Sequence, residues 1–221
     1  MRRTKYILLF IATYTFCWAQ PSNGKDPKSK SILEKLSNQY EKYETMEVSF
    51  DLILDLPDQE SEIQKGQLKQ KGEKYWLDLS DQAIYSDGTI LWLHLKDNNE
   101  VQINDAESPE DEESFLTPKD MMRIYESDDY SYTLVEEKGK GKSKISVIEF
   151  KPNNPDSEYA KLRLSVSETK NEMKSMIVFS KDGSKYTLEI KSILSNKNYE
   201  DSIFVFDATK FPGIHVEDLR L

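Results

Sequence analysis

The chain has 221 residues, 32% of them charged, with a formal net charge of -10, twelve tyrosines, nine phenylalanines and one cysteine. That length supports one domain with a real core. The acidic balance disfavours nucleic acid phosphates and anionic lipid headgroups as binding partners.

Arg2, Arg3 and Lys5 precede an apolar run from Tyr6 to Phe16. The run is too short to span a bilayer and suits the core of an export signal. Cys17-Trp18-Ala19 places small residues where a signal peptidase reads, so residues 1–19 are expected to be a signal peptide cleaved before Gln20. The rival reading, a lipidated Cys17, conflicts with the bulky Phe16 before it. Cleavage removes three positive charges, no negative ones and the single cysteine. The exported chain then has no disulfide and relies on its core.

Residues 20–29 lie in a polar stretch with two prolines and a glycine and are expected to be a flexible lead-in. A single domain is expected over 30–221. Ile32, Leu33, Leu36, Tyr40 and Tyr43 recur every three or four residues, which predicts an amphipathic helix over 30–44. Ser29 or Ser31 could cap it.

After Thr45 the period changes to two. Val48, Phe50, Leu52, Leu54 and Leu56 alternate with Ser49, Asp51, Ile53 and Asp55, a long strand with one dry face. Further strands are predicted over 62–71, 73–80, 82–86, 89–96 and 99–104. Their turns carry Lys71-Gly72, Ser86-Asp87-Gly88 and Asp97-Asn98-Asn99. The spacing leaves no room for crossover helices, so neighbours should be antiparallel. The run Ile90 to Leu95 is apolar on both faces, which raises the question of what covers the second.

Residues 105–118 are rich in carboxylates but lack the ligand spacing of a calcium loop, so a solvated loop is expected. Thr117-Pro118 with Asp120 resembles a helix start. It opens a predicted short helix carrying Met121, Met122, Ile124 and Tyr125. Strands resume at 129–137, 144–151, 158–167, 173–180, 184–194 and 202–206, before a final piece at 211–216. The pattern predicts a mainly β protein with short helices. Eleven or twelve strands should form one strongly curved antiparallel sheet, with the helices on its concave side.

Catalysis is not indicated. His94 and His215 sit far apart, each in an apolar strand pattern. Nucleophile-elbow, zinc-helix and phosphate-loop patterns are absent from the sequence, and no cofactor or metal is called for.

Several segments in order carry a resemblance: Met46-Glu47-Val48-Ser49-Phe50, Gly66-Gln67-Leu68, Lys71-Gly72-Glu73-Lys74-Tyr75, Ser86-Asp87-Gly88 with Leu91-Trp92, and Phe204-Val205-Phe206-Asp207-Ala208 with Pro212-Gly213. Over about residues 30–219 the chain resembles the LolA family of periplasmic lipoprotein carriers, in its Bacteroidetes-like version. The resemblance implies an unclosed, strongly curved antiparallel β-barrel of about eleven strands, with a helical lid over an apolar cavity.

It also implies a periplasmic monomer that is not an enzyme. Such a carrier takes acylated lipoproteins from an inner-membrane ABC-type exporter to the outer membrane, where an acceptor receives them. Strand parity then assigns the cavity lining to Phe50, Leu52 and Leu54, with Tyr75 and Leu77, Trp92, Leu162 and Leu164, and Met176 and Val178. The lid would carry Met121, Met122, Ile124 and Tyr125. Proteobacterial members have an Arg, which ties down their lid, where this chain has Gly72. Two alternatives stand beside the carrier: a periplasmic lipid- or glycolipid-binding protein of the same fold, and a structural interaction domain whose strands pack on its own helices.

Overall fold

The structure, a computed structural model, describes residues 24–106 and 124–220. The expected signal peptide, the first part of the lead-in, and Thr117, Pro118, Asp120, Met121 and Met122 of the expected lid lie outside the described residues.

The helix α1 spans Pro27–Tyr40, starting and ending earlier than its apolar stripe suggests. Its cap is Asp26 rather than Ser29 or Ser31. The Asp26 carboxylate accepts from Ser29 N and from Ser29 Oγ, both at 2.7 Å. Those bonds hold its pKa below the usual carboxylate value. Pro27 follows at the first helical position, where a missing N–H costs nothing. Residues 24–29 are not a free lead-in. Asp26 N donates to Tyr132 O at 2.9 Å, and Tyr132 N donates to Gly24 O at 2.8 Å.

Among the described residues twelve strands follow: β1 Thr45–Asp55, β2 Glu62–Lys71, β3 Lys74–Asp78, β4 Gln82–Ser86, β5 Ile90–Leu95, β6 Glu100–Asp105, β7 Tyr130–Lys138, β8 Ile145–Pro152, β9 Tyr159–Ser167, β10 Glu172–Ser180, β11 Lys185–Ser195 and β12 His215–Asp218. They form one sheet in the order β12-β6-β5-β4-β3-β2-β1-β11-β10-β9-β8-β7. The end strands β12 and β7 do not pair, so the barrel is unclosed. The named strand pairs are antiparallel except β12 on β6, which is parallel. At the β4–β5 turn, Gly88 takes φ +90, and Asp87 Oδ1 accepts from Thr89 N and Ile90 N at 2.8 Å each. This is the hairpin that Ser86-Asp87-Gly88 predicts.

Register sorts side chains onto two faces. Across one half, Leu134, Ile148, Leu164, Met176, Leu188 and Leu52 form a continuous row. Across the other half, Val48, Leu68, Leu77, Ile84 and Leu93 form a second row. Both rows lie on the inner face, which α1 covers in part. Ile32, Leu33, Leu36 and Tyr40 of α1 are buried in one cluster with Val48, Leu68, Ile148 and Leu164.

The expected strand at 202–206 is a correction. Asp201–Phe204 is a 3-10 turn, and a second such turn spans Ala208–Lys210. The segment lies on the outer face of the sheet, where no free edge offers its backbone ladder partners. Its alternation survives, with Phe204 and Phe206 buried and Val205 exposed.

Candidate functional site

The inner groove is the candidate site. Phe50, Leu77, Leu162, Leu164 and Met176 are buried in the cluster that includes α1, and Leu52, Tyr75 and Val178 are half-buried against it. Leu54 also faces inward, opposite Tyr186 and Glu62. Ile84, Leu93, Leu188 and Ile190 belong to this surface too, and sequence reasoning missed them. For Ile84 and Leu93 the signal was available, because each continues the parity of Leu77.

Trp92 does not line the groove. It pairs with Tyr85, which pairs with Trp76, while Tyr75 and Leu77 take the alternate positions of β3. Trp92 therefore stands on the outer face. The run Ile90 to Leu95 is apolar on both sides, so its sequence alone does not fix which parity points inward.

Ile124 is buried in the same cluster, and Tyr125 is half-buried against it. They occupy a turn at 124–129 leading into β7 rather than a helix. Burial raises the Tyr125 phenol pKa, a rise opposed by the Ser37 hydroxyl of α1.

α1 rests on β7 and β10, over one side of the groove. Beyond it the apolar wall is half-buried rather than fully covered: Tyr75, Ile84, Leu91, Leu93, Leu188 and Ile190 all keep some exposure. At the Asp55 end a cleft of about 600 Å³ opens, with Tyr159, Val178 and Tyr186 on its wall and Glu158, Lys181 and Asp182 at its rim. This lies within the range of about 300–1,000 Å³ typical of small-ligand sites.

At the opposite end lies Gln70, 5% exposed. Its Nε2 donates to Gly72 O at 3.2 Å, and its Oε1 has no hydrogen-bond partner among the described residues. A buried acceptor left unpaired costs about 1–3 kcal/mol.

The outer face answers the question posed by β5. After β11 the chain crosses β3, β4 and β5 as a strap before entering β12. Asp201 anchors it, accepting from Lys71 Nζ at 2.7 Å and Lys74 Nζ at 2.6 Å. The Lys71 hydrogen bond, then that of Lys74, draws the exposed Asp201 carboxyl down to about 2. Phe206 and Phe211 stack with centroids 5.1 Å apart and close over His94, at 5.3 Å and 4.6 Å. Phe206 also meets Tyr85 edge-on at 5.5 Å. His94 is 5% exposed, and burial depresses its pKa. It is a neutral packing residue under the strap.

Comparison with known proteins agrees with this architecture. The model of the family described as outer membrane lipoprotein carrier protein LolA matches residues 41–207. The chain belongs to the LolA family. No curated protein matches it. Among solved structures, an uncharacterized conserved protein from Thermus thermophilus aligns over 86% of this chain and 99% of its own, with a TM-score of 0.57 and 7% identity. At that identity the likeness shows the fold alone. A LolA superfamily protein from Nitrosomonas europaea covers 80% of this chain and 97% of its own at 16% identity and a TM-score of 0.41. LprF from Mycobacterium bovis covers 80% and 97% at 8% identity and a TM-score of 0.47. The matched segment of this LolA-family chain runs from the end of α1 through β11 into the strap, and so includes the whole groove wall.

Proposed function

We propose that this protein is a periplasmic carrier of acylated lipoproteins. It receives them from an ABC-type exporter in the inner membrane and delivers them to an acceptor at the outer membrane, with the acyl chains shielded in the inner groove. The observation that carries this reading is the continuous apolar inner face, covered by α1 on one side and only half-buried on the other. Moving acyl methylenes from water into such a surface stabilises the complex by about 0.8 kcal/mol each, or roughly 10 kcal/mol for one long chain. No chemistry is asked of the side chains, and the one inner-groove polar atom without a partner among the described residues is an amide oxygen. Export of the chain by its N-terminal segment belongs to the same proposal.

Leu52 tests the groove. It is half-buried at the end of an apolar inner row, between Leu188 and Gln64. A carboxylate there puts charge on the apolar wall. Leu52→Glu is expected to keep the circular dichroism of the folded sheet and to lose binding of a solvatochromic dye and of a triacylated lipopeptide that displaces it. Full binding of both by folded Leu52→Glu protein would place the cargo elsewhere. Binding of free phospholipid but no lipopeptide would favour a lipid-binding protein instead.

A further inference from the structure

Gln70 is buried, and its side-chain oxygen has no hydrogen-bond partner among the described residues. The amide is not free to flip. Its nitrogen donates to the Gly72 carbonyl, which fixes the oxygen as the end without a partner. Register places Gln70 on the inner face, between Met46 on β1 and Tyr75 on β3. The same row continues through Ser86 and Leu91 to Asn104. Ser86 Oγ already accepts from Gly88 N at 3.2 Å.

The row contains no acidic or basic residue. A cation brought to the Gln70 oxygen would be buried without a counter-charge, at high cost. The atom is thus suited to a neutral donor attached to an apolar body. Gly72, two residues on, is exposed, and among the described residues nothing lies within 4 Å of where a Cβ would stand there.

We propose that the Gln70 side-chain carbonyl accepts a hydrogen bond from the secondary-amide N–H of an amide-linked acyl chain in the inner groove, so that this protein prefers amide-linked to ester-linked acyl chains. The proposal rests on the carrier reading and deepens it, because it names which linkage of the cargo the groove recognises. A secondary amide supplies one N–H to one unpaired acceptor. An ester of the same chain supplies none and leaves the oxygen unpaired.

The test compares three probes with the same long alkyl chain, a secondary amide, the matching ester and the alcohol, each displacing a solvatochromic dye from the full chain. The wild type is expected to bind the amide about five- to thirty-fold more tightly than the ester. Gln70→Met keeps the length and apolar reach of the side chain. It should retain ester binding and bring the amide-to-ester ratio near one. Equal affinity of the wild type for amide and ester overturns the proposal while leaving the carrier reading intact. Equal affinity for amide and alcohol overturns the amide assignment. An unchanged ratio in Gln70→Met removes Gln70 as the acceptor. If none of the probes displaces the dye, the carrier reading fails as well. The wild-type ratio needs no variant, so misfolding of Gln70→Met would not shelter the proposal.

Discussion

Gly66→Ala is expected to destabilise the protein even though it replaces a strand glycine with a better strand residue. Gly66 stands opposite Phe50 across β1 and β2. A Cβ at Gly66 would lie 2.2 Å from Phe50 Cζ, 2.3 Å from Cε2 and 2.9 Å from Cε1. Carbon atoms in contact settle at about 3.5–4.0 Å, so the ring would have to move by roughly 1.3 Å or more. Phe50 is 7% exposed and packed within the central cluster, which gives it little room. Overpacking of this kind costs about 1–3 kcal/mol. The lower backbone entropy of alanine returns about 0.5–1 kcal/mol. The balance ranges over about 0–2.5 kcal/mol and centres on a loss of about 1 kcal/mol, or a fall in Tm of about 2–4 °C for a domain of this size. Urea and thermal denaturation of the two proteins measure it. Phe50→Leu in the Gly66→Ala background should cost less than the sum of the two single changes, because the shorter side chain vacates the contested space. A Gly66→Ala protein as stable as the wild type, or more so, would refute this account of the groove floor.

Other changes probe the remaining layers. Tyr40→Phe removes the oxygen that accepts from Met173 N at 3.2 Å and leaves a buried donor unpaired, so urea denaturation should show a loss of about 1–3 kcal/mol. Burial, reinforced by the nearby Lys96 charge and opposed by Asp78, holds the His94 pKa below its ordinary 6.5. The unfolded chain therefore binds this proton more readily. Stability from this group is full above pH 6.5 and falls as the pH drops through the lower folded value, and His94→Leu should remove that part of the slope. The Asp201 carboxyl, at about 2 against an ordinary 3.8, contributes stability above pH 4 that is lost as the pH falls toward 2. The group is exposed, so the effect should be small and weakened by salt. An identical acid limb in Asp201→Asn would show that the Lys71 and Lys74 pairs do not anchor the strap.

Much of the fold was legible because one face of each long strand is dry. Val48, Phe50, Leu52 and Leu54 declare β1 by alternation, and Ile32, Leu33, Leu36 and Tyr40 declare α1 by spacing. The turn at Asp87-Gly88 needs only local backbone chemistry. The helix start at Asp26 was missed because polar Ser29 and Ser31 offered equally good local caps, and only the contact with Tyr132 favours the earlier one. The strap was missed for a different reason. Phe204-Val205-Phe206 alternates like a strand, and whether such a run joins a sheet edge or lies on a sheet face depends on where the preceding β11 leaves it. Trp92 was misplaced because β5 is apolar on both sides, so parity carries no direction until Phe206 and Phe211 are seen over the outer face. Gln70 could not be read at all. A lone glutamine in Lys69-Gln70-Lys71 looks solvated, and its burial depends on Met46 and Tyr75 from two other strands.

The central claim is that the inner groove holds acyl chains in a soluble complex, and transfer from a membrane tests it most directly. Vesicles loaded with a fluorescent triacylated lipopeptide are incubated with the purified protein and then removed by centrifugation. The account predicts lipopeptide in the supernatant as a complex with the protein, and none with the Leu52→Glu variant. Lipopeptide that stays with the vesicles at every protein concentration would contradict it.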